Sequence, residues 1–392
     1  LSIGKDDAEG NLSSKLDIML ATGNSPTLFD NEGGATRLLR DARLALTLLA
    51  FQCFSPSGTI GVARWGNEIT LGKGSSGHAP CTPSGMLHTY VMGRTLLETL
   101  HWNLLNKEEA AGVYEDWGRP IWECPVKSLN DENAKRNATL SYLGRLVPMS
   151  RCIKLFPGGR TMILANGLEY PAYPTYREAA ATVIERKEGP GVLGVSLGRS
   201  LWRQLSAITV KRRAEKSAVC GPLALGNLDS SEDVTLWVGA LATDQAKIED
   251  VVEARFDVPA GMFQDRGRKL YEEGVAIAEA WQTALSNGVK AYAAALNLES
   301  APTEVAQQRF WTAVEQQLHL LFSLVREPEN IAALEDTEWG KMLGREVENA
   351  YAFACPHQSP RQIQAYAIGY ASLRLPKPKS EPKPKRSRSI SA

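Results

Sequence analysis

Residues 303–325, TEVAQQRFWTAVEQQLHLLFSLV, decide the reading of the fold. Trp311, Val314, Leu318, Leu321 and Val325 recur at spacings of three and four, which places them on one face of an α-helix. Pro302-Thr303-Glu304 is a suitable helix start. Outward from this stretch the same period persists. Residues 262–296 form one long alanine-rich helical pattern, and 331–354 and 360–373 complete a set of four. The links Asn297–Pro302 and Arg326–Asn330 are short, which favours antiparallel neighbours. Four such faces bury one another in an antiparallel four-helix bundle, expected over 259–375 as a scaffold. Beyond it, residues 376–392 carry prolines at 376, 378, 382 and 384 and no apolar core, so a disordered basic tail is expected.

Toward the N-terminus the period is mixed. Residues 1–258 read as one irregular α+β domain, so the whole chain belongs to the α+β class. A helix is expected from Thr36 to Phe54, with Leu38, Ala42, Ala45, Leu46, Leu49 and Phe51 on its apolar side. Pro56-Ser57-Gly58 ends it, and a short strand fits Thr59–Ala63. A second helix is expected from Ser84 to Leu105, buried through Leu87, Val91, Leu96, Leu97 and Leu100. Strands fit Met149–Leu155, Thr161–Leu164 and Val234–Ala240; Asn166-Gly167 reads as a turn, and Leu201–Val210 as a helix.

At 392 residues the chain is long enough for more than one core. Its 44 basic and 44 acidic residues cancel, but the tail carries six cations against Glu381 and leaves the remainder net acidic by five. Net charge therefore neither supports nor excludes a nucleic-acid partner. Cysteines at 53, 81, 124, 152, 220 and 355 form no CxxC pair, which argues against a zinc knuckle or a disulfide scaffold and suits a reducing, cytoplasmic setting. No apolar run reaches membrane-spanning length, so no membrane partner is expected.

Chemistry is sparse. Five histidines, at 78, 88, 101, 319 and 357, make no HxH or HExxH spacing, and the acids form no metal-binding pattern. A metal-dependent hydrolase is thus the weakest of three functional classes, and no cofactor is expected. The better candidates are polar. Leu71-Gly72-Lys73-Gly74-Ser75-Ser76-Gly77-His78 puts three glycines and a lysine in one short stretch. Its backbone suits close approach to a narrow target, presented rigidly between the two expected helices, or else a plain turn between a strand and a helix. It lacks the lysine–serine ending and flanking strand of a phosphate-binding loop. Thr243-Asp244-Gln245 follows a strand at a turn, and the glutamine amide can donate and accept at a base edge. Lys154 and Arg160 flank the turn Phe156-Pro157-Gly158-Gly159. The run Lys211–Lys216 has four cations, read either as a solvated face or as a backbone-binding patch.

These pieces together resemble the CasA family, the large subunits of the type I-E CRISPR Cascade complex. The similarity runs through Lys15–Asn31, the glycine stretch, Thr89–Gly93, Asn166-Gly167-Leu168, Leu201–Ser206 and Asp244–Ile248, in order, ahead of the helical region. Family members are longer, and Leu1 falls close before the first loop, so an N-terminally shortened form is expected. Some members carry a cysteine-rich insertion before the Asn-Gly pair; here that link is a short hairpin, and no zinc site is carried over. The resemblance implies a non-catalytic subunit that reads the protospacer-adjacent motif on double-stranded DNA. By position the glycine loop is Gly72, Lys73, Gly74, Ser75, Ser76 and Gly77. The wedge is Thr243, Asp244 and Gln245. The cation finger is Arg160 or Lys154. It further implies that a first loop with Gly23, Asn24, Thr27, Phe29 and Asn31 touches the guide RNA and neighbouring subunits. Backbone subunits, small subunits and a separate helicase–nuclease are the implied partners. The rival class is a helical-bundle adaptor whose glycine loop touches only protein.

Overall fold

The computed structural model of the chain describes residues 10–20, 38–72, 78–81, 85–173, 175–211, 219–229, 231–244, 247–328 and 333–374. The chain divides into two compact units, 1–263 and 264–392.

The N-terminal unit alternates short strands with short helices. In chain order these are β1 (Asn11–Leu12), α1 (Asp41–Phe54), β2 (Arg64–Trp65), β3 (Glu68–Ile69) and β4 (His88–Val91). Then come α2 (Leu96–Asn103), α3 (Lys107–Ala111), α4 (Glu132–Leu140), β5 (Arg151–Leu155) and β6 (Thr161–Asn166). β7 (Val183–Arg186), β8 (Gly189–Val192), α5 (Leu205–Ile208), β9 (Val234–Asp244) and β10 (Lys247–Val258) complete it. Two three-stranded sheets result, in the orders β1-β6-β5 and β10-β9-β4, beside the hairpins β2-β3 and β7-β8.

The cores are several and small. Leu16, Leu44, Phe51 and Met162 pack α1 onto the first sheet. Cys152, Ala165, Leu168, Tyr170 and Trp65 pack the other side of β5 and β6. The helix starts follow local chemistry. The Asn106 side chain caps α3 and Glu109 returns the bond, a capping box; Thr95 and Asp131 cap α2 and α4.

Several expectations fail here. The stretch from Ser84 to Leu105 is not one helix. His88–Val91 is a strand paired with β9, and only Leu96–Asn103 is helical. The glycine stretch therefore does not lie between two helices. Leu96, Leu97 and Leu100, expected to be buried, are 76, 78 and 47% exposed. In α1 the buried residues are Leu44, Thr47 and Phe51, while Leu46 and Leu49 face outward. Asn166-Gly167 is not a turn, because Gly167 N–H donates to Ser150 and Leu168 N–H to Met149, extending the β5–β6 pairing. Glycine is needed there: a Cβ would collide with the Met149 carbonyl.

The C-terminal unit is built around α6 (Asp265–Leu296), a helix about 48 Å long. Its buried face includes Tyr271, Val275, Ala278, Leu285, Val289 and Tyr292, at helical spacing. α7 (Thr303–Gln316), α8 (Leu318–Arg326), α9 (Glu338–Ala354) and α10 (Pro360–Tyr370) each touch it. The 303–325 helix is thus broken at Gln317, whose N–H bonds back to Val314. Five described helices stand where four were expected. The break lets Phe322 stack on Tyr271 at 5.8 Å and brings Leu321 against Gly274. Trp339 on α9 is fully buried and donates to the Gly274 carbonyl at 3.0 Å. α6 and α10 cross at Gly288 and Gly369, where a Cβ on Gly288 would lie 3.0 Å from the Gly369 carbonyl. Ser359-Pro360 starts α10 with a capping box to Gln362.

Candidate nucleic-acid interface

Gly72 is the one member of the glycine loop among the described residues; Lys73, Gly74, Ser75, Ser76 and Gly77 lie outside them, as do Gly23, Asn24, Thr27, Phe29, Asn31 and Gln245. What the structure defines is how the loop is rooted. Upstream, the Gly72 carbonyl accepts from Ile60 N–H at 3.2 Å, and the Leu71 carbonyl accepts from the Asn166 side-chain amide. Asn166 is buried, and its Oδ1 accepts from Arg151 at 2.9 Å. Arg151 is 1% exposed and also donates to the Pro56 carbonyl at 2.8 Å. Burial alone, without a carboxylate beside it, lowers its pKa to about 10. Downstream, the buried Tyr176 hydroxyl donates to the His78 carbonyl at 3.1 Å. Both roots are therefore fixed by side chains nearly a hundred residues away.

The second candidate belongs to the long hairpin β9–β10. Thr243 and Asp244 are not in a turn but in the ladder, pairing with Ile248 and Lys247. Thr243 is exposed. A register shift at Glu249 bends β10 just behind them. Gln245 falls between the paired Asp244 and Lys247 in sequence.

β4 connects these two candidates. It runs antiparallel to β9, with His88 opposite Gly239 and Val91 opposite Leu236. Residues before His88 therefore lie toward the end of β9 that carries Thr243 and Asp244. Gly85 confirms the direction, since a Cβ there would sit 3.4 Å from the Leu241 carbonyl. The chain leaving the glycine stretch thus enters the sheet at the end that leads to Gln245.

The cation candidates are placed differently. Lys154 and Arg160 are exposed on the β5–β6 hairpin. Arg160 lies at its tip, where its carbonyl accepts from Ser13 N–H at 3.0 Å. The hairpin touches the glycine stretch through its other end, at Arg151 and Asn166, about 10 Å from Lys154 and about 20 Å from Arg160 along the strands. Lys211 is turned inward: its Nζ donates to the Leu228 carbonyl at 2.7 Å and sits 5.5 Å from the Phe263 ring. Burial lowers its pKa. Lys211 is half-buried, and Arg212–Lys216 lies outside the described residues. Among the described residues no group of three His, Cys, Asp or Glu side chains is placed to hold a metal ion, and no helix is long and apolar enough to cross a membrane.

Arg151 and Tyr176 were not singled out from sequence. The one signal near them was Asn166-Gly167, which marks a close backbone approach as well as it marks a turn.

A mixed α+β unit followed by a helical unit is the architecture of solved CasA chains. The structure matches that of Thermus thermophilus CasA (Cse1) with a TM-score of 0.65 at 22% identity, covering 94% of this chain and 75% of that one. A chain solved within a CRISPR RNA-guided surveillance complex gives a TM-score of 0.67 at 16% identity, covering 93% of this chain and 75% of that one. The model of CRISPR-associated protein Cse1 matches residues 4–350. The curated CRISPR-associated protein CasA/Cse1 of Thermus thermophilus is 31% identical over 286 residues, 68% of this chain. This chain belongs to the CasA/Cse1 family. The match spans about half, 52%, of that curated relative's length.

Proposed function

We propose that the chain is the large, non-catalytic subunit of a cytoplasmic RNA-guided Cascade surveillance complex. In this reading it recognises the protospacer-adjacent motif on double-stranded DNA, starts strand separation and helps recruit a helicase–nuclease. The observation that carries the proposal is the family match over residues 4–350. The sheet supports the choice of residues, because β4 leads from the glycine stretch to the hairpin end that carries Thr243 and Asp244.

Gly72–Gly77 would press its backbone into the minor groove, whose hydrogen-bond pattern is degenerate, so close approach reads it better than a side-chain code. Gln245 would insert beside the motif and take the place of a base pair. Guide RNA pairing then supplies sequence specificity. Arg160 and Lys154 would act as phosphate-directed cations, a sequence-independent term that falls with salt.

The test uses the assembled complex. Gly74→Leu is expected to weaken binding at the preferred motif about tenfold or more, with an unchanged melting temperature. Gln245→Ala is expected to spare duplex binding more than strand opening, read by permanganate reactivity of unpaired thymines. Wild-type affinity and opening in both variants would sink the reading. If scrambling the motif at constant guide complementarity changes nothing, the adaptor class takes its place.

A further inference from the structure

A cleft of about 430 Å³ opens in the N-terminal unit. On one side are the end of α4 and residues 113–115; on the other are residues 173–177 and the β7-β8 hairpin. Its volume is at the small end of those that hold small-molecule ligands. Tyr114, Tyr173 and Tyr176 line it, and the rings of the last two meet edge to face at 5.5 Å. Leu140, Val183 and Pro190 make the rest of the wall apolar. None of these residues belongs to the glycine stretch, the β9–β10 hairpin or the cation candidates.

Two polar groups of this lining are incompletely matched by the fold. Arg177 is half-buried, and its NH2 donates to the Cys220 sulfur at 3.0 Å and to the Gly221 carbonyl at 3.2 Å. No carboxylate pairs with it among the described residues. The other charged residue of the cleft, Glu115, is neutralised by Arg136, and the buried Glu178 is committed to Arg145. The second group is the Tyr114 hydroxyl, buried with no partner among the described residues. The hydroxyls of Thr139, Thr175 and Tyr176, by contrast, donate to backbone carbonyls. Burial pushes the Tyr114 pKa up, so its hydroxyl stays protonated and able to donate.

The geometry points to a binding site in this cleft for a small planar aromatic molecule that carries one negative charge. The ring of the ligand lies among the tyrosines, which favour flat aromatic partners. Its anionic group meets the Arg177 guanidinium, whose planar fork suits a carboxylate or a phosphodiester. One uncompensated cation selects one charge, because a second would enter the cleft unpaired. Tyr176 is shared between two tasks: its ring lines the cleft while its hydroxyl holds the His78 carbonyl at 3.1 Å. Occupancy of the cleft therefore bears on the downstream root of the glycine stretch. The site stands whether or not that stretch reads DNA.

The full-length protein is titrated calorimetrically with two matched pairs of probes. These are indole-3-acetate against indole-3-acetamide, and adenosine 3′,5′-cyclic monophosphate against adenosine. Each pair keeps the ring and removes the charge. In at least one pair the anion is expected to bind about tenfold or more tightly than its neutral twin. It is also expected to slow amide hydrogen exchange in peptides spanning residues 113–115, 139–140 and 173–177. Preference in the first pair identifies a carboxylate ligand, and preference in the second a nucleotide. Arg177→Met is expected to bring anion and neutral twin to equal affinity, while Arg177→Lys keeps part of the difference. No preference in either pair, protection confined to other peptides, or an undiminished preference in Arg177→Met would overturn the assignment. The wild-type titration and exchange map decide the matter alone, so a variant that fails to fold does not leave it open.

Discussion

The two units of the chain are stabilised in different ways. The buried polar and charged residues among those described run from Ser13 to Thr209, all in the N-terminal unit. The C-terminal unit buries Trp339, Tyr271, Phe310, Leu343 and Tyr351 instead; the Trp339 indole donates to the Gly274 carbonyl, and the Trp281 indole N–H is buried with no partner among the described residues. In the N-terminal unit Arg145–Glu178, Asn166–Leu71 and Gln52–Ser150 each join segments far apart in sequence. One unit is a set of helix faces pressed together. The other is a set of loops pinned by long-range polar links. The lesson is that a candidate interface made of loops is only as well placed as the buried polar groups behind it.

The largest expected effect tests the polar half of this contrast. Glu178 is 3% exposed, and its carboxylate accepts two bonds from Arg145. Glu178→Ala leaves that guanidinium buried without a counter-charge and is expected to cost about 4 kcal/mol in urea unfolding of the N-terminal unit. The double change Arg145→Met with Glu178→Leu should restore most of it; no recovery would mean that the pair is not what holds these loops.

Next is the apolar half. Trp339→Ala removes the largest fully buried side chain among the described residues of the C-terminal unit and is expected to cost about 3 kcal/mol, with Trp339→Phe costing less. Equal losses in the two variants would show that the indole hydrogen bond, rather than packing, dominates.

The smallest effect is a pH dependence. Burial lowers the His88 pKa, with Glu178 opposing weakly. The folded state therefore resists protonation that the unfolded state accepts below about 6.5. Stability is constant above that value and falls as pH drops through the window down to the depressed folded pKa. Urea midpoints at pH 7.5 and 5.5 should differ more for the wild type than for His88→Gln. An identical difference would assign the acid sensitivity elsewhere.

How far each unit could be read in advance follows the same division. The spans of α6, α9 and α10 were legible because helical periodicity is local: one turn of chain carries its own evidence. The break at Gln317 was not, since Val314 and Leu321 keep their spacing across it; packing against Tyr271 and Gly274 sets it. Leu87–Val91 fitted a helix by spacing and became a strand, because β9 offers hydrogen-bond partners nearly 150 residues away. Thr243 and Asp244 read as a turn because they adjoin the hairpin's connection, although their ladder partners, Ile248 and Lys247, lie only five and three residues further along.

By itself, then, the sequence determined the α+β class, the helical C-terminal region, the β5–β6 hairpin with its Gly158-Gly159 turn, and the polar stretches worth considering. Tertiary structure decided which leucines of α1 and α2 are buried, that Arg151, Asn166 and Tyr176 root the glycine stretch, and that this stretch enters its sheet at the Asp244 end. The physical reason is range. Side-chain periodicity and capping act within a few residues, whereas β pairing and buried polar links join positions whose separation along the chain leaves no local trace.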